Sequence, residues 1–158
     1  MRVVYRVLGI AIVVLVAVQA AMIAWADAGM LAWVGSGGVL DQAAMESESL
    51  PPFAEAAGFM IHGMNGMMVI PVVALALLVV SFFAKFPGAV RWAVIVVVLV
   101  ALQITLGMLG HSLAFLALLH GLNALLLAAA AFYAQLRAGR TTPDRPAVAM
   151  TERPPARV

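Results

Sequence analysis

Apolar residues gather into four long stretches, at about 5–26, 52–84, 89–110 and 112–136, separated by polar or glycine- and proline-containing breaks. At 1.5 Å per residue, each is long enough as a helix to cross a hydrocarbon core of about 30 Å. Pro51 and Pro52 suit the first turn of the second stretch. Trp25, Trp33 and Trp92 fall at stretch edges, where amphipathic rings sit at headgroup level. The pattern predicts an all-α membrane protein, a four-transmembrane-helix bundle over 1–138.

Composition agrees. The chain of 158 residues is 65% hydrophobic and 10% charged, more apolar surface than a soluble domain of this size can hide. Its net charge of +2 is no sign of nucleic acid, because the basic residues flank the apolar stretches or lie in the tail. Arg2 and Arg6 precede the first stretch, Lys85 and Arg91 bracket the second break, and Arg137, Arg140, Arg145, Arg153 and Arg157 follow the fourth. The first break, 27–51, has no Lys or Arg but holds Asp27, Asp41, Glu46, Glu48 and Glu55 at or near it. The positive-inside rule puts both termini in the cytoplasm and loop 27–51 outside, in a prokaryotic plasma membrane.

The first stretch also has the outline of a signal peptide, ending in Ala24-Trp25-Ala26. Its apolar run is too long for that, and it has a partner later in the chain, so an uncleaved helix is expected. Gly35-Ser36-Gly37-Gly38 and the acidic run after it predict an external excursion with one short helical piece before the prolines. The tail 139–158, rich in Pro, Arg and Ala, predicts disorder.

The partner comes from an internal repeat. Val14 to Gln19 reads VLVAVQ and Val98 to Gln103 reads VLVALQ, while His62 to Asn65 (HGMN) matches His120 to Asn123 (HGLN). Each half is therefore a glutamine helix followed by a histidine helix. Two crossings per half make a parallel 2+2 repeat with a pseudo-two-fold axis along the membrane normal. His62 and His120 would then share a depth and face each other. By rise per residue, Gln103 and His120 both lie about 12–13 Å from the turn at His111, so they too are level.

Polar side chains within a membrane mark function by default. Here they are Gln19, His62, Asn65, Gln103, His120 and Asn123, with His111 at a helix end. His and Asn three apart share a helix face. Gly63 and Gly121 beside the histidines would relieve crowding by a planar ligand, and Gly66 and Gly107 extend small-residue faces. Three readings follow. The histidines are axial ligands of a non-covalent haem b, with Gln or Asn accepting from the other ring nitrogen. Alternatively, the polar set is interhelical hydrogen bonding in a structural or accessory subunit. In the third, His62 with Met60, Met64, Met67 and Met68 binds copper, thioethers suiting Cu(I). With no cysteine, thiolate metal sites and covalent haem attachment are excluded. His111 would contact a haem propionate or an external substrate, or merely end its helix.

At the paired histidines the chain resembles one four-helix half of the haem A synthase family, whose bundles each place histidines on the second and fourth helices around a haem. It also looks like small four-helix actinobacterial membrane proteins of unknown function. The synthase pattern E-x-x-H-R is replaced here by Phe59-Met60-Ile61-His62-Gly63. The resemblance thus implies haem binding without haem A synthesis, in an electron-transfer or haem-carrying protein rather than a self-contained enzyme. Expected partners are membrane lipids, a quinol or a larger membrane redox complex, and a second copy of the chain, with no nucleic acid.

Overall fold

The computed structural model describes residues 1–47 and 49–140. The expected tail, beyond Arg140, lies outside the described residues, as does Glu48. Five helices occur among them: α1 (Arg2–Gly35), α2 (Gln42–Glu46), α3 (Ala54–Ser81), α4 (Ala89–Gly110) and α5 (Ala114–Gly139). All but α2 are long and apolar enough to span a membrane, as a multi-pass membrane protein requires.

The first helix corrects the expected boundaries. It continues from Ala26 to Gly35, so the first break shrinks to the residues after Gly35. Nothing between Asp27 and Val34 breaks a helix, and the first effective stop is Ser36-Gly37-Gly38, where Gly37 has a φ of 103°. Trp33 closes this end. Its carbonyl accepts from Ser36 Oγ and Gly38 N, and its ring covers Gly38 and lies 5.6 Å from that of Phe53. Asp41 caps the short α2 by accepting from Ala44 N.

The long helices run alternately up and down. At the end bearing the start of α1 and the end of α5, the turn between α3 and α4 is tied to both helices. Arg2 donates to the carbonyls of Ala84 and Lys85, Tyr5 to that of Ala89, and Arg137 to that of Pro87. Lys85 at φ 51° and Gly88 at φ 87° supply the reversals.

The buried apolar cluster, with Tyr5, Ile12, Leu77, Val96, Leu127 and Ala134 at its centre, fills this half. Helices in lipid gain little from apolar burial against one another, so close backbone approach through small residues carries the packing. A Cβ on Gly9 would come within 2.9 Å of Gln135 Cβ and 3.2 Å of Ala131 O, which sets the α1–α5 contact. Near the opposite end, Gly58 of α3 lies against Met22 O and Ala26 of α1, and Gly110 of α4 against Ala117 of α5. There the helices pair differently. The Ala57–Met64 segment of α3 packs on α1, whereas its Ile70–Ser81 segment packs on both α1 and α4.

A widened π-turn interrupts α3 at Asn65–Val69, where Ile70 N–H donates to the carbonyl of Asn65, five residues back. The cause is Pro71, which has no N–H to give and whose ring would strike the Met67 carbonyl in a regular helix. The extra residue resets the buried face. In α3 burial steps from Asn65 to Ile70, then Ala74, Leu77 and Ser81, while in α5 it steps from Asn123 to Leu127.

Candidate functional site

Where the buried apolar cluster gives way, the polar residues of the two helix pairs come together. Asn65 Nδ2 donates to Leu15 O at 3.1 Å and to Gln19 Oε1 at 3.2 Å. Asn123 Nδ2 donates to Leu99 O at 2.9 Å and to Gln103 Oε1 at 2.6 Å. The two sets join matched residue types, because Leu15 and Gln19 stand where Leu99 and Gln103 stand in the repeated stretch. In both, one amide stitches a histidine helix to a backbone carbonyl and a side chain of the glutamine helix.

The histidines are held the same way. His62 Nδ1 lies 3.1 Å from Gln19 O, and His120 Nδ1 lies 3.0 Å from Gln103 O. A carbonyl only accepts, so each Nδ1 carries a proton and donates it, and in the neutral ring that leaves Nε2 with the lone pair. The acceptor expected from the sequence was a side-chain amide. The backbone takes that role because imidazole of an adjacent helix reaches the main chain at the glutamine's own level. The ring centroids of His62 and His120 are 6.2 Å apart, with planes at 53°. Both rings are half-buried.

The two halves differ at Nε2. Gln103 Nε2 lies 3.1 Å from His120 Nε2 and 3.0 Å from His120 O, so its amide donates to both. Among the described residues, His62 Nε2 has no hydrogen-bond partner. The reason lies one turn after each histidine. A Cβ on Gly66 would come within 2.5 Å of Gln19 Nε2, so glycine there makes room for that amide. Ala124 stands at the matching position, where a methyl in place of hydrogen would crowd the equivalent placement of an amide, and the Gln103 amide donates to His120.

Asn65 and Asn123 are 6% and 3% exposed, and the Oδ1 atom of each is buried with no hydrogen-bond partner. Flipping either amide would set its oxygen against a carbonyl and a glutamine oxygen, so the orientation is dictated and the spare acceptors remain. An unmet buried acceptor costs about 1–3 kcal/mol.

The remaining expected residues divide. Gly107 makes room for the His120 ring, its Cβ position lying 3.0 Å from His120 Cε1. Gly63 and Gly121 are exposed and face open space, with no atom within 4 Å of a Cβ there. His111 is exposed at the end of α4 and away from the paired histidines' hydrogen bonds. Met60, Met64, Met67 and Met68 are 49%, 56%, 52% and 63% exposed, on the outward side of the helix that holds His62. Among the described residues, no group of three or more His, Cys, Asp or Glu side chains is placed to hold a metal ion. The carbonyls of Leu15, Gln19, Leu99 and Gln103 are partners that no residue type in the sequence signals.

No protein-family model, curated protein or solved structure matches the chain. The likeness to a haem A synthase half therefore rests on the residues quoted above.

Proposed function

We propose that this chain binds one haem b in the membrane, with His62 and His120 as the axial ligands. The observation that carries the reading is the placement of the two imidazoles. Metal–imidazole bonds run about 2.0–2.1 Å, so two imidazoles this near each other could both reach one metal. The two rings here are 6.2 Å apart. Each Nδ1–H is committed to a backbone carbonyl, the arrangement that fixes the tautomer of a ligating histidine and raises the basicity of Nε2.

Two features around the rings support the reading. Gly63 and Gly121 leave the space beside each histidine open, and the apolar helix faces would exclude water. His120 would give up its bond from Gln103, whose amide keeps the His120 carbonyl as a partner. A bound haem would supply one-electron transfer, and two histidine ligands would leave no open position on the metal. The donor, acceptor or cargo role, a quinol or a larger redox complex included, belongs to the same proposal. So do the 2+2 repeat about an axis along the membrane normal, supported by the matched hydrogen bonds, and cytoplasmic termini, supported by the Lys and Arg distribution.

A structural subunit held by the same polar set is the second reading, and the Gln103–His120 bond favours it. The two buried, unpartnered Asn oxygens count against it, since a purely structural network would satisfy its acceptors. Copper has less support, because the methionines near His62 face outward.

The test is the absorption spectrum of protein purified from haem-replete cells. A Soret band is expected, with about one haem per chain by pyridine haemochrome, and its loss in both His62→Ala and His120→Ala. Gly63→Leu and Gly121→Leu should leave the thermal unfolding of the protein unchanged yet lower the haem content severalfold. A colourless wild-type protein rejects the proposal, and metal analysis of the same sample tests copper.

A further inference from the structure

Away from the histidines, α4 and α5 carry a second feature on their outer surface. Trp92, Ile95 and Leu99 on α4 and Leu126, Ala129 and Tyr133 on α5 line an apolar groove of about 420 Å³. Small-molecule sites span about 300–1,000 Å³. The groove opens on the outer surface of the bundle, where Leu126 is 60% exposed and Ala129 is exposed. The alanines on α5 cut the depression, and at the end bearing the start of α1 the Trp92 and Tyr133 rings close it, centroids 4.5 Å apart.

Both walls finish in a cation at that end. Arg91 stands one turn before Ile95 on α4, and Arg137 one turn after Tyr133 on α5. Arg137 Cζ lies 6.0 Å from the Tyr133 ring centroid, and Arg137 Nη2 donates to Pro87 O at 3.3 Å. A guanidinium has five N–H donors, so most of those on Arg137 remain for a ligand. Among the described residues, neither Arg91 nor Arg137 has an acidic partner. An apolar slot facing lipid, ringed by interfacial aromatics and ending in two unpaired cations, complements one class of molecule: a lipid with a hydrocarbon chain and an anionic headgroup.

We propose that this groove is a specific seat for an anionic phospholipid, one acyl chain lying along Ile95, Leu99, Leu126 and Ala129 and the phosphate resting against Arg137 and Arg91. This inference is independent of what the histidines bind.

Tryptophan quenching reads the seat directly, because Trp92 lines it while Trp25 and Trp33 lie at the far end of the bundle. The full-length protein in detergent micelles is titrated with phosphatidylglycerol brominated on its acyl chains, or with phosphatidylcholine carrying the same chains. At low mole fraction, quenching by the anionic lipid is expected to exceed that by the zwitterionic lipid at least threefold. Arg91→Gln/Arg137→Gln should bring that ratio to about one. Ala129→Leu, which fills the slot at an exposed position and leaves both charges, should do the same, and it carries the test if the double variant misfolds. Equal quenching of wild type by the two lipids overturns the proposal. So does a preference that survives in Ala129→Leu, which would mark general attraction of anionic lipid to a basic surface.

Discussion

Gln103→Leu is expected to lower the unfolding free energy of the bundle by about 2 kcal/mol, taking about 0.6 kcal/mol as typical of a side-chain hydrogen bond between membrane helices. Gln103 makes three such bonds: it donates to His120 Nε2 and His120 O and accepts from Asn123. Leucine keeps the bulk and removes all three. Gln19→Leu is the internal control. Its side chain accepts one bond, from Asn65, so its loss should be about a third as large. Equilibrium unfolding in mixed micelles, followed by far-ultraviolet circular dichroism, measures both. Equal losses would show that the difference between the halves has no energetic weight. The same variant bears on the proposed ligand. Gln103 occupies the His120 nitrogen that would bind iron, so Gln103→Leu should retain the Soret band while losing stability. Loss of both together would instead place the glutamine among the groups that bind haem.

Gly58→Leu is expected to cost more, about 3 kcal/mol, the upper range for overpacking. A Cβ on Gly58 would stand 2.5 Å from Met22 O and 3.0 Å from Ala26 Cβ. A backbone carbonyl within a helix cannot swing aside as a side-chain end can, so α1 and α3 must separate. That contact also sets how far His62 can reach toward Gln19 O. Gly63→Leu, five residues on and facing open space, should leave stability unchanged. Thermal unfolding of the two variants side by side checks the contrast, and similar midpoints would mean that the Gly58 contact does not hold the pair together.

Much of the architecture was legible because transmembrane patterning is local. Length and apolarity mark four spans, and Lys85 and Arg91 mark the break between the second and the third. The predicted first span ends before Asp27, short of the helix itself. An acidic residue ends a span without ending a helix, and α1 continues to Gly35. The π-turn had one signal, Pro71 inside an apolar run. From sequence, a proline there is equally compatible with a kink, and packing selects between them.

The candidate site divides along the same line. Residue types and spacing along each helix were enough to select His62, Asn65, His120 and Asn123 and to put Gln103 level with His120, because rise per residue and the 3.6-residue turn are properties of one helix. Separation and partnership between helices are not. The 6.2 Å between imidazoles depends on small-residue contacts scattered along the chain, at Gly9, Gly58 and Gly110. The choice of backbone carbonyls as histidine partners depends on how far those contacts let the helices approach. The inequality of the two halves, with His120 Nε2 engaged and His62 Nε2 open, turns on whether position 66 or 124 carries a methyl, and only packed neighbours give that single carbon its effect. The sequence by itself determined which residues could meet and at what level. The tertiary structure decided which of them do, because contacts between helices depend on side-chain volume at every crossing at once.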